Sequence, residues 1–196
     1  MKPEQAILIP RTDQQHGASL IMVMMILIIV SLLGVGGAQI ALMSERGARN
    51  DRDLQVAWQA AESALLDAEF DMTDPTSSRK SLFDGKTANG FVSTCPTPGT
   101  TYAGTPTGLY DFRACSKPAW LSVSFDATAA TVFGAISGKT FASGSVGVQP
   151  AQAPLYIIEL VTDPLDAKRL VYRVTTMGFG QRTDIQAVSQ MIYRTF

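Results

Sequence analysis

Between Ala18 and Met43 the chain runs for 26 residues without a charged side chain, and no other feature narrows the possible folds as far. At about 1.5 Å per residue, a helix over this run is roughly 39 Å long, more than the roughly 30 Å hydrocarbon core of a bilayer. It can therefore span a membrane. A cleaved secretory signal has an apolar region of only about 7 to 15 residues, closed by an A-x-A-like site. Here the nearest approach to such a site is Gly36-Gly37-Ala38. Lys2 and Arg11 precede the run while Arg46, Arg49 and Arg52 follow it, so flanking charge leaves the orientation open.

The helical pattern does not stop where the charges begin. From Ser44 to Met72 there is no proline, and Leu54, Trp58, Ala61, Leu65, Ala68 and Met72 recur in steps of four and three. That is the period of an amphipathic helix. Gln55, Gln59, Glu62, Asp67, Glu69 and Asp71 fall off this stripe and are expected on a solvated face. Glu45 and Arg49 stand i,i+4 in the favourable order, and Asp74-Pro75 ends the pattern because the residue before proline is pushed out of helical geometry. Residues 18–72 thus read as one rod of about 80 Å, half lipid-soluble and half amphipathic. Gly34, Gly36, Gly37, Ala38 and Ala41 place small residues on several faces of the apolar half, where other helices could approach closely.

Beyond the rod, Thr, Ser, Gly and Pro dominate. Residues 73–154 are dense in turn formers and read as a long, partly irregular connection, with 119–125 and 130–136 as short strand candidates. The end is more regular. Residues 155–161, 170–176 and 185–193 are rich in Val, Ile and Tyr and are separated by Asp163-Pro164 and by Gly178 and Gly180. Three strands joined by short connections predict an antiparallel sheet whose apolar face covers the amphipathic helix, an α+β fold.

A polar leader ending in Gly17, a small residue at Ala18, and a long apolar helix continuing into an amphipathic one resemble a type IV pilin precursor. The stretch GASLIMVMMILIIVSLLGVGGAQIALMSERGARNDRDLQVAWQAAESALLDAE is similar to the PilX family of minor pilins, and YRVTTMGFG with the closing IYRTF resembles that family's C-terminal end. The resemblance implies a pilin-like fold, cleavage after Gly17 by the prepilin peptidase, N-methylation of Ala18, and assembly into a filament through the apolar helix. In pilins the fifth mature residue is usually glutamate; here that position is Met22.

If the domain is exported, Cys95 and Cys115, the only cysteines, are expected to form a disulfide. Such a loop contributes roughly 3 kcal/mol on the chain-entropy account. Two free buried thiols are the alternative. Two cysteines and one histidine do not make a structural zinc site, which takes four such ligands, and neither a metal nor a cofactor is expected. His16, the single histidine, lies in the leader and would be lost on maturation, removing the commonest general base. No P-loop or G-x-G-x-x-G sequence occurs, and Gly34-Val35-Gly36-Gly37 lies inside the apolar run. A formal net charge of -1, with 17% charged residues, gives no support to nucleic acid as a partner.

The sequence therefore divides into a leader (1–17), a membrane or filament-core half-helix (18–43), an amphipathic half-helix (44–72), a variable segment (73–154) and C-terminal strands (155–196). It is expected to be a minor pilin and not an enzyme, starting in inner-membrane lipid with a periplasmic domain and passing into an extracellular pilus near its tip. Its implied partners are the prepilin peptidase, other minor pilins and the major pilin. Two other readings stand beside this one: an uncleaved single-pass membrane protein with a periplasmic binding domain, and a minor pseudopilin of a type II secretion system.

Overall fold

A helix lying close on a sheet needs small side chains at the crossing, and the first helix supplies a row of them. In the computed structural model, which describes residues 18–97, 107–144, 146–166 and 169–195, helix α1 covers Ala18–Thr73. The chain divides into two units after Ala48. In the first, the described residues are all helical and the apolar side chains from Leu20 to Met43 are exposed. The Ser31 hydroxyl donates to the Leu27 carbonyl at 2.7 Å, which removes an unsatisfied polar group from the apolar run. Gly34, Gly36 and Gly37 have open space where a β-carbon would stand, so this chain's own packing does not require them.

In the second unit, the buried face of α1 carries Ala57, Ala60, Ala61, Ala64, Asp67, Ala68, Asp71 and Met72. This corrects the sequence-based stripe. Ala61, Ala68 and Met72 are buried as expected, but Leu54 is 40% and Trp58 44% exposed, while Asp67 and Asp71 are not on a solvated face at all. The reason is steric. Gly178 and Gly180 bring sheet backbone against helix backbone, and a β-carbon at Gly180 would stand 2.8 Å from the Asp53 carbonyl oxygen. Alanine fits that spacing and a larger side chain does not.

The sheet is built on β3 (Leu155–Thr162), β4 (Leu170–Phe179) and β5 (Gln186–Tyr193), an antiparallel meander. These are the three strands the sequence predicts, with β4 three residues longer. Two short strands from the middle of the chain add to the free side of β3: β1 (Leu109–Tyr110) runs parallel to it and β2 (Thr131–Val132) antiparallel. The five-stranded sheet is therefore mixed, with order β1-β3-β4-β5 and β2 beside β3.

Alternation along β3 separates two cores. Tyr156, Ile158 and Leu160 face α1 with Ala64, Ala68, Met72, Tyr172 and Val174. Leu155 and Ile157 face the other way, against Tyr110, Phe112, Ala119, Val123 and Ala130. The middle of the chain is therefore a cover over the second face of the sheet, which accounts for the nearly continuous burial of β3. Residues 119–125 are not a strand. Pro118 precedes a single helical turn, α2 (Ala119–Ser122), whose first amide donates to buried Glu159 Oε1 at 2.7 Å. Within 130–136 only β2 is extended, because Gly134 turns the chain with a φ of +80°.

Candidate functional site on the N-terminal helix and the bridged loop

The residues singled out by sequence fall in both units. Gly17 lies outside the described residues, Ala18 is the first residue of α1, and Met22 is helical and 65% exposed. An apolar side chain at Met22 places no charge in the run, so nothing there could neutralise a neighbouring amine. In the second unit, Cys95 and Cys115 are brought together and bonded, with their α-carbons 5.5 Å apart. Cys95 lies three residues after Val92, which bridges Tyr110 beside β1, so the bond ties that extra strand pairing to the segment covering the second core.

Sequence reasoning missed the burial of Asp67, Asp71 and Glu159. Asp71 accepts from Ser77 Oγ at 3.1 Å, Arg79 Nε at 3.1 Å and Tyr156 Oη at 3.2 Å, and Arg79 Nη2 completes the ion pair. Arg79 also donates to the Thr107 carbonyl. Burial, with the Asp71 carboxylate beside it, pushes the Tyr156 phenol well above its usual pKa. Asp67 accepts from the Gly134 amide at 2.8 Å and from Ser137 Oγ, docking the 134–139 turn on α1. Lys139 Nζ from the same turn lies 4.8 Å from the centre of the Phe70 ring. Glu159 takes an ion pair from Arg173, its cross-strand partner, at 2.6 Å, as well as the α2 amide.

The signal for Asp67 and Asp71 was present in the alanines. A stripe traced through Ala57, Ala60, Ala64 and Ala68 includes Asp67 and Asp71 at helical spacing. Each of the three carboxylates is held by several donors, an arrangement suited to fixing loops and strands in place. A cleft of about 250 Å³ between α1 and the 141–150 segment is lined by Val56, Gln59, Ala60, Phe141, Val148 and Pro150 and contains no titratable side chain. Among the described residues, no three of His, Cys, Asp or Glu gather as a metal-holding group.

A long helix, apolar in its first half and laid in its second half on an antiparallel meander, defines the pilin class of fold. Residues 16–66 match the family model PilX N-terminal, and residues 86–195 match Type IV pilus assembly protein PilX C-term. The chain belongs to the PilX family, a structural pilin family, and is a minor pilin related to type IV pilus assembly that works with other pilus proteins. The second match reaches back through the turn-rich middle, where sequence reading found no resemblance. The interval between the two matches, 67–85, contains Asp67, Asp71 and Arg79. No curated protein and no solved structure gave a match.

Proposed function

We propose that this pilin enters the type IV pilus at its tip, as part of an initiation complex with other minor pilins beneath which the major pilin is added. The observation that carries the reading is Met22, at the mature position where pilins usually have glutamate. In the assembly scheme that the family resemblance implies, the glutamate of an incoming subunit meets the positively charged N-terminus of the subunit added before it. That contact neutralises two charges which are expensive in apolar surroundings. A subunit with methionine brings no carboxylate to a predecessor. If it is added first, it leaves no amine above it unpaired, and its own terminus can still be met by the glutamate of the next subunit.

The rest of the life cycle follows from this placement. Prepilin peptidase removes 1–17, Ala18 is methylated, and the 18–43 half-helix holds the subunit in inner-membrane lipid with the 73–196 portion in the periplasm. The half-helix then leaves the bilayer to pack among those of the other pilins, and the Cys95–Cys115 bond fits an oxidising compartment. Open space at Gly34, Gly36 and Gly37 supports close helix approach. Association accounts for this function; no catalytic step or nucleic-acid contact is part of it.

Gold labelling of sheared pili with an antibody to residues 73–154 tests the placement. Labels at one end, with pili lost on deletion of the gene, are expected. Labels spaced along the shaft would overturn the tip assignment.

A further inference from the structure

The sheet has one open side. β1 and β2 cover the free side of β3, whereas no strand among the described residues pairs with the outer edge of β5. Edges of this kind are normally guarded by charges, proline, a bulge or shortness. Over its eight residues β5 reads QAVSQMIY, with no charge and no proline. It is an unguarded template for another strand.

The pattern along β5 identifies the strand that fits. Ala187 pairs with Gly178, and Met191 and Tyr193 pack on the core beneath α1, so the odd positions face the helix. The even positions Gln186, Val188, Gln190 and Ile192 face the other way, where Val188 is 42% and Ile192 62% exposed. In an antiparallel pair of two copies of β5, centred with Gln190 opposite Gln190, Val188 of each copy stands opposite Ile192 of the other. Both exposed apolar side chains are then covered. Slipping the register by one residue mixes the two faces. Slipping the centre by one position either way sets Val188 and Ile192 against Gln186, Gln190 or Arg194. In the centred register no like charges stand directly opposite each other, because β5 carries none, and the flanking Asp184 and Arg194 are already paired with Arg182 and Asp163 of their own chain.

We infer that the outer edge of β5 is a homotypic docking surface, taking β5 of a second copy of this chain in the register that places Val188 against Ile192. The two-fold axis of an antiparallel strand pair stands perpendicular to the sheet and reverses the α1 segment lying on it. The contact thus joins chains of opposite polarity and is distinct from any surface that stacks subunits in one direction. A strand pair of this length falls below the roughly 1,200 Å² of stable interfaces, so the contact is transient and is best caught covalently.

Cysteine trapping of the full chain in detergent micelles provides the test, since the native cysteines are bonded to each other and an introduced thiol is the only free one. Gln190→Cys is expected to give a disulfide-linked homodimer under mild oxidation, because opposed α-carbons in such pairs are about 4.5 to 5.5 Å apart, within disulfide reach. Gln186→Cys puts the two thiols about 27 Å apart by strand rise and should trap at least tenfold less. In the Gln190→Cys background, Val188→Lys should abolish trapping, and adding Ile192→Glu should restore it by placing Lys opposite Glu twice. Circular dichroism confirms that each variant is folded. Equal trapping at 186 and 190, no dimer at 190, or failure of the paired charges to restore it overturns the inference.

Discussion

Gly178 lies so close to α1 that a β-carbon on it would stand 2.2 Å from the carbonyl oxygen of Ala57 and 2.3 Å from the amide nitrogen of Ala61. Both neighbours are backbone atoms of one helix and cannot step aside singly. Gly178→Ala should therefore lower the unfolding free energy by about 3 kcal/mol or more, the upper part of the range for inserting a methyl group into a packed interior. Denaturant unfolding of the full chain in micelles measures this. A loss under about 0.5 kcal/mol would mean that the crossing is looser than described.

The pair Asp71–Arg79 makes a second prediction, in two parts. Asp71→Ala leaves the Arg79 guanidinium buried without its carboxylate and should destabilise the domain by about 3–5 kcal/mol. The double variant Asp71→Leu, Arg79→Met removes both charges and should recover most of that loss. If the double variant is as unstable as the two single losses added, the ion pair is not the unit that matters.

Stability should also depend on alkaline pH. Burial raises the pKa of Tyr156 and of Tyr172 in the folded chain above the ordinary phenol value of 10.0. A group with a raised folded pKa binds its proton more tightly when folded, so its contribution is complete below pH 10 and is lost as pH climbs from there toward the folded value. Unfolding midpoints should fall above pH 10, and Tyr156→Phe should flatten that fall, with Tyr172 accounting for the remainder. An unchanged slope in Tyr156→Phe would remove Tyr156 as the cause.

Reduction gives a fourth prediction. The Cys95–Cys115 bond closes a loop of sequence rich in Thr, Gly and Pro, and Cys95→Ser, Cys115→Ser should lose roughly 3 kcal/mol. Non-reducing peptide mapping should recover the linked pair from cells. Alkylation of both thiols without prior reduction would contradict the bond and the oxidising compartment together.

What could be read from residues alone follows the length and regularity of each element. α1 and the three C-terminal strands are long enough for their periods to repeat, and their bounds agree with expectation to within a few residues. The middle of the chain failed for a physical reason: α2 and β2 are four and two residues long and exist because β3 gives them partners distant in sequence. The helix face was misread because leucine and tryptophan carry more apolar surface to bury than alanine does. Contact with Gly178 reverses that ranking, since at this crossing size decides burial. Asp67, Asp71 and Glu159 look like surface carboxylates until Ser137, Arg79 and Arg173 are placed beside them. The cysteine pair was legible because the chain has no others.

The mass of the N-terminal peptide, taken from protein extracted from membranes and pili of cells that contain prepilin peptidase, is the direct test of processing and assembly as a pilin. A chain beginning at Ala18 and carrying one added methyl group is expected, with Gly17→Val leaving it unprocessed and absent from pili. A mature protein that still begins at Met1, in the same cells and with pili intact, would contradict it and leave a plain membrane anchor.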